Sequence, residues 1–249
     1  MNLVIKDAVL NHFTKRLNNS LPLAKMWSYI VNTNPGATNP YHNTQHMKHM
    51  AGIAVFLLEN SDEYKAMSKA DQHLYSTLLL IACCWHDYGH SAGRYPDDVN
   101  IHNAGEAFVA WFNSEWDEML TYATGTTYYI DTPAGMEEAV KYSRLILEIL
   151  KVTEFPFVYN PTTILQKCAR DADLLYTFDV NTGQIVHGLY LELKSSGKFP
   201  FSFMSFMSRQ AEFLDSCEHF TPLGKQIHET MKADVLARQF EWAESQGFA

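Results

Sequence analysis

The chain has 249 residues, 28 of them acidic and 19 basic, giving a formal net charge of −9. With 47% hydrophobic and 19% charged residues it can bury a large core, which excludes a disordered or fibrous chain. The negative charge disfavours a duplex nucleic-acid partner but not a small phosphorylated one, because a bound cation reverses the field locally.

In chain order, apolar side chains at helical spacing predict helices over about 3–17 and 23–31. The Asn-, Pro- and Gly-rich stretch 32–40 then reads as a loop. Helices follow over 44–58 and 71–85, and a polar loop over 88–103 enters a helix near 103–112. Segment 121–132 has strand-like β-branched and aromatic content, a hairpin or an extended loop. Thr132 can cap and Pro133 can open a helix to about 152. Further helices are expected over 162–178, 183–193, 203–217 and 222–245. No βαβ alternation and no internal repeat is visible, so the expected fold is all-α, an irregular helical bundle forming one domain over 1–249.

The N-terminus lacks the basic-then-apolar order of a secretory signal. The longest apolar run, 78–85, is far shorter than the roughly 20 residues a membrane span needs. Cys83, Cys84, Cys168 and Cys217 form no Cys-x-x-Cys pair and are expected to be reduced structural thiols. The expectation is a cytoplasmic protein with no membrane partner.

Three features carry chemistry. His86-Asp87 ends an apolar helix, where an imidazole and a carboxylate need a partner or a metal ion. Tyr41-His42-Asn43-Thr44-Gln45-His46, with His49 beyond, puts three histidines beside the Asn/Pro loop. His42 and His46 share a helical face if the helix starts early enough; a solvated helix end is the alternative. In Arg170-Asp171-Ala172-Asp173, two carboxylates interrupt an apolar pattern, and Asp173 is preferred as a ligand for lying nearer the apolar face. A surface ion pair with Arg170 or Lys167 is the alternative. Two histidines and two carboxylates from separate helices suit Mg, Mn, Zn or Fe better than a thiolate-seeking metal.

The order His…His-Asp…Asp resembles the HD superfamily of metal-dependent phosphohydrolases. Tyr-His-Asn-x-x-His resembles the motif that opens the catalytic domain of cyclic nucleotide phosphodiesterases. Trp-His-Asp-Tyr-Gly-His resembles their His-Asp-x-x-His motif. Asp-Ala-Asp-Leu-Leu resembles the last metal-ligand motif of small bacterial HD phosphohydrolases. The likeness covers about 40–180, leaving 181–249 to complete a pocket.

The resemblance implies an all-helical fold, with His46, His86, Asp87 and Asp173 holding the tighter of two divalent ions. Asp87 would bridge to the second ion, and His90 would orient a water or serve that ion. His42 would protonate the leaving oxygen, kept charged by a carboxylate the sequence does not identify, and Asn43 would orient His42 or its loop. The small relatives' histidine pair before the last Asp is missing: the chain has Val-Thr-Glu-Phe-Pro-Phe at 152–157, with Glu154 as a substitute. Gln210, before Phe213-Leu214, resembles the purine-reading glutamine of the phosphodiesterases, against an ordinary amphipathic helix. Arg94 and Lys48 are the cationic candidates for a phosphate clamp.

The expected substrate is a nucleoside 5'-monophosphate, by analogy with small HD nucleotidases that include a phage deoxynucleotide monophosphatase. A 3',5'-cyclic nucleotide is the second reading and a nucleoside triphosphate the third. A metal-containing nucleotide sensor that binds without turnover is the non-enzymatic alternative.

Overall fold

The apolar run Leu78-Leu79-Leu80-Ile81-Ala82-Cys83-Cys84-Trp85 is buried on every side of its helix, so other helices must surround it. The computed structural model describes residues 4–129 and 131–248, and the side chains of 4–8 lie outside the description. Leu3 and Ile130, which fall within the predicted first helix and strand-like segment, are outside the described residues.

In chain order the α-helices are α1 (Val4–Asn18), α2 (Leu21–Thr33), α3 (Thr44–Asn60), α4 (Asp62–Lys65), α5 (Lys69–Trp85) and α6 (Asp97–Thr124). There follow α7 (Pro133–Lys151), α8 (Ile164–Leu175), α9 (Thr182–Ser195), α10 (Phe203–Ser216) and α11 (Pro222–Ser245). A 3-10 turn, Tyr176–Phe178, continues α8. The described residues contain no strand, and the fold is an all-helical bundle.

Helix α5 is the axis: α2, α3, α6, α7 and α8 all pack on it. Helix α3 also carries α1 and α8, and a close approach makes this possible, since a Cβ on Gly52 would lie against Val9 of α1. Most caps are local side chains that accept from the first free amides: Ser20, Asn43, Ser68, Thr132, Thr163, Ser202 and Thr221. Thr163 and Gln166 form a full capping box at α8. A smaller apolar cluster, built on Val186, Tyr190, Phe199, Phe203, Phe206 and Met207, joins α9, α10 and the end of α11.

Two expectations are corrected. The loop after the His-Asp pair ends at Pro96, and α6 runs from Asp97 to Thr124, longer at both ends than predicted. Asp97 and Asp98 suit a first turn, and Ile101, Ala104, Phe108, Trp111, Phe112, Trp116, Met119 and Ala123 keep one buried stripe throughout. The strand-like segment 121–132 instead finishes α6, turns at the left-handed Gly125 and leads into the Thr132 cap.

Asp171 docks the C-terminal helix. Fully buried on α8, it accepts from the amides of Phe220 (2.8 Å) and Thr221 (2.7 Å) and from the Thr221 hydroxyl (2.6 Å). A Cβ on Gly224 would strike this carboxylate, so the first turn of α11 closes over it. Charged hydrogen bonds in a buried setting are the strong ones, and removing their acceptor orphans three donors. Asp171→Ala should therefore lower the unfolding free energy by about 3 kcal/mol or more, read from the urea midpoint at unchanged slope.

Candidate metal centre

His46 reaches the bundle interior because Asn43 starts α3 where it does: the Asn43 side chain accepts from the amides of Gln45 and His46, and its own amide donates to Asn39 O. Asn43 is thus committed to the cap, and His42 precedes the helix. His42 and His46 therefore do not share a helical face; the loop folds His42 in. His49 turns away, its Nδ1 3.8 Å from Asp179 and its Nε2 2.6 Å from the Gln45 amide, and does not join the cluster expected of the three histidines.

Four side chains converge. His46 Nε2 lies 3.0 Å from His86 Nε2, 3.0 Å from Asp87 Oδ2 and 3.2 Å from Asp173 Oδ1. His86 Nε2 lies 3.1 Å from Asp87 Oδ2 and 3.9 Å from Asp173 Oδ1. Bonds of about 2.1 Å from one ion would put neighbouring donors about 3.0 Å apart in an octahedral shell and about 3.4 Å apart in a tetrahedral one. The three edges among His46, His86 and Asp87 match an octahedral shell, and Asp173 meets it through His46 but stands wider of His86.

His46, His86 and Asp87 are buried, while Asp173 is one-fifth exposed and stands on the open side. Asp87 Oδ2 is buried with no hydrogen-bond partner among the described residues, an orphan that a cation would satisfy. His86 Nδ1 meets Cys83 O at 2.8 Å, which fixes the proton there and leaves the Nε2 lone pair for an ion. His46 Nδ1 lacks such a partner among the described residues, and the rings of Tyr41 and Tyr176 hold it instead, at 5.1 and 4.5 Å. His46, His86 and Asp87 could hold a metal ion, with Asp173 beside them at the edge of the group.

The preference for Asp173 rested on burial, and burial runs the other way. Asp171 is the buried carboxylate and serves α11, whereas Asp173, two residues on and on another face of α8, points at the histidines. Arg170 makes no surface ion pair either. It is buried, with its guanidinium donating to Val152 O and Tyr159 O and stacked 3.7 Å from the centre of the Phe157 ring.

A second group lies beside the first. His42 Nδ1 is 2.6 Å from Glu192 Oε2, and the His42 ring stacks on His90 at 3.7 Å. Glu192 is almost fully buried, and its other oxygen accepts from the amides of Tyr41 (2.7 Å) and His42 (2.9 Å). Burial works against the Glu192 charge, but His42 and these amides outweigh it and hold the carboxyl below its ordinary value. His90 Nε2 faces Asp97 Oδ1 at 3.3 Å, while Asp97 Oδ2 accepts from Phe155 N at 2.7 Å. His42, His90 and Glu192 also lie close enough to share an ion.

The loop between α2 and α3, residues 34–43, pins both groups. Asn39 donates to His42 O and His90 O, and the Asn34 side chain accepts from Gly36 N and Gly89 N. Gly89, at φ 74°, supplies the left-handed turn between His86-Asp87 and His90. A Cβ on Gly188 would clash with Pro40 O, so this glycine lets α9 approach closely enough for Glu192, one turn later, to reach His42.

The remaining candidates lie apart. Lys48 is two residues beyond His46 and so on another side of α3, and Arg94 is exposed; neither contributes a hydrogen bond or ion pair to the cluster among the described residues. Glu154 is partly buried, facing the charges of Asp98 and Asp97. Gln210 is buried, and its Nε2 has no partner among the described residues. Sequence reasoning missed Glu192, Asp97 and Asn39. A signal existed for Glu192, the one acid in α9, set four residues after a glycine on the same face; none distinguished Asp97 from Asp98.

Without an ion, burial disfavours a charged His46, but the carboxylates of Asp173 and Asp87 prevail and raise its pKa to about 9. Below that value a proton occupies the ligand nitrogen, so an incoming divalent ion must displace it. Apparent metal affinity should rise as the pH climbs towards 9 and level off beyond. Calorimetry at pH 7 in buffers of different ionisation enthalpy should register proton release on metal uptake, and His46→Ala should abolish both signals. No protein-family model and no curated protein matches this chain.

Proposed function

We propose that the chain is a metal-dependent phosphohydrolase of a small nucleotide. The observation that carries the reading is the pairing of the His46–His86–Asp87–Asp173 group, partly exposed at Asp173, with a neighbouring imidazole backed by a buried carboxylate, His42–Glu192. A purely structural metal site would be closed and would have no use for the second group. Divalent ions, two in the resemblance and drawn from Mg, Mn, Zn or Fe, would supply an acidified water and draw charge from the phosphoryl oxygens.

The chain's own residues do the rest. Glu192 accepts a hydrogen bond from His42 Nδ1–H, which leaves Nε2–H as the edge that would hand a proton to a departing oxygen. The Tyr41 and His42 amides fix Glu192, so the imidazole keeps one orientation. His90, stacked on His42 and backed by Asp97, holds the second face of the site and is suited to orienting a water. Burial of these groups strengthens each interaction.

Of the substrates expected, a nucleoside 5'-monophosphate leans on a cationic clamp for a dianionic phosphate, and Lys48 and Arg94 make no contact with the cluster among the described residues. A cyclic 3',5'-diester carries one negative charge fewer, and a specific observation favours it as the second reading. The orphaned Gln210 amide lies one helical turn from Phe213, whose ring meets Phe155 edge-on at 5.9 Å. A purine edge would satisfy that amide, and its face would rest on the aromatic ring.

A metal-loaded sample should release phosphate from dAMP or dGMP, or open cyclic AMP to AMP. Failure on every mono-, cyclic and triphosphate nucleotide and on every dinucleotide, with metal bound, would leave only the sensor reading. Replacing His42 or Glu192 by Gln should slow turnover by roughly 10²–10⁴-fold with the ion at His46, His86 and Asp87 retained. Gly188→Ala should move α9 off Pro40 and reproduce the Glu192→Gln loss in rate, detectable as a fall in kcat with little change in bound metal.

A further inference from the structure

The chain is acidic overall, yet two stretches beside the site carry no acidic residue: 88–96, between Asp87 and Asp97, and 193–211, which follows Glu192. The fold joins them. Lys198 Nζ donates to Tyr95 O at 3.2 Å, and Gly93, at φ 82°, sits so close to α9 that a Cβ there would meet the Ser196 side chain. Arg94, Lys198 and Arg209 are exposed, and so are the rings of Tyr95 and Phe201, each 56% accessible. The Arg209 guanidinium lies 5.4 Å from the centre of the Phe199 ring and 6.0 Å from that of Phe201. A guanidinium drawn to ring faces at these distances still has N–H donors to offer an anion.

Covalent reach ties this strip to the reaction centre. Arg94 follows His90 by four residues and can stand no more than about 14 Å from it along the backbone. Lys198 follows Glu192 by six, part of them in the last turn of α9. Basic side chains alternating with exposed rings match a nucleotide chain, in which phosphates alternate with flat bases. A mononucleotide held at the metal group leaves nothing to occupy the strip.

We propose that the substrate carries a second nucleotide unit, with its scissile phosphate at the His46–His86–Asp87–Asp173 group and a further phosphate and base on Arg94, Tyr95, Lys198, Phe201 and Arg209. The strip reads the charge and stacking of the second unit, so the substrate class is a dinucleotide. This rests on the phosphohydrolase reading for the scissile phosphate only.

The test is a competition assay with the metal-loaded full chain, using a phosphorothioate-linked diadenylate and adenosine 5'-phosphorothioate, both resistant to hydrolysis, and inorganic phosphate as a third arm. The diadenylate should bind at least about tenfold tighter than the mononucleotide, with a steeper fall between roughly 50 and 200 mM salt. Lys198→Glu with Arg209→Glu should remove that advantage and leave mononucleotide binding within about twofold. Thermal melting checks the fold of the double variant, and Lys198→Gln alone, expected to lose part of the advantage, serves if it does not fold.

Equal affinity for the two probes overturns the proposal. So does equal weakening of both by the variants, or competition by inorganic phosphate alone as strong as by the diadenylate. Much tighter binding of a twelve-nucleotide single-stranded RNA would also overturn it, assigning the strip to a nucleic-acid partner. Dinucleotide selectivity without turnover of any nucleotide sinks the hydrolase reading and spares this one; turnover of mononucleotides without dinucleotide selectivity does the reverse.

Discussion

Burying His46, His86 and Asp87 at the end of an apolar helix is the constraint around which the bundle is arranged. Desolvating a carboxylate is expensive unless opposite charge or hydrogen bonds stand against it. Here the imidazoles hold Asp87 ionised: burial pushes its carboxyl towards neutrality, and His86, His42 and His46 bring it well below the ordinary range. Those histidines arrive from α3, from the end of α5 and from the loop before α3, so these elements must meet at one point. The packing of α3 on α5 and α8 is the scaffold of that meeting.

Around that point the chain also spends polar side chains on backbone atoms. Asn34 and Asn39 tie the loop between α2 and α3 to the turn at Gly89 and to the carbonyls of His42 and His90. Glu192 ties α9 to Tyr41 and His42. Each bond fixes where a functional ring begins, and the rings then stack as His42 on His90 and His46 against Tyr41 and Tyr176. The positions of these rings are set mainly by main-chain contacts, which tolerate side-chain change on the outer surface.

Much of this was legible in the sequence. Periodicity located ten of the eleven α-helices, missing only the short α4 and misjudging both ends of α6, because Pro96 and two aspartates looked like loop when they were a helix start. The His-Asp pair stood out because charge inside an apolar run has few explanations. His46 and Asp173 took more, since neither the loop path nor the helical phase at Asp171 and Asp173 follows from composition. Glu192 was not found because its role depends on an approach between α9 and Pro40, more than a hundred residues apart in sequence, which a glycine permits but does not announce.

Helix α8 carries two carboxylates with unlike duties two residues apart. Asp171 grips the start of α11, and Asp173 looks out at the histidines. A short rigid rod gripped at one side and presenting a tool at the other transmits any loosening of its grip. Cutting the chain before Phe220 would strip Asp171 of these three donors and leave its carboxylate without them inside the bundle, and the nearest relief is rotation of α8. The last helix thus acts as a set-screw on the helix that presents Asp173, so damage far along the chain should first be felt as a wandering carboxylate beside the histidines.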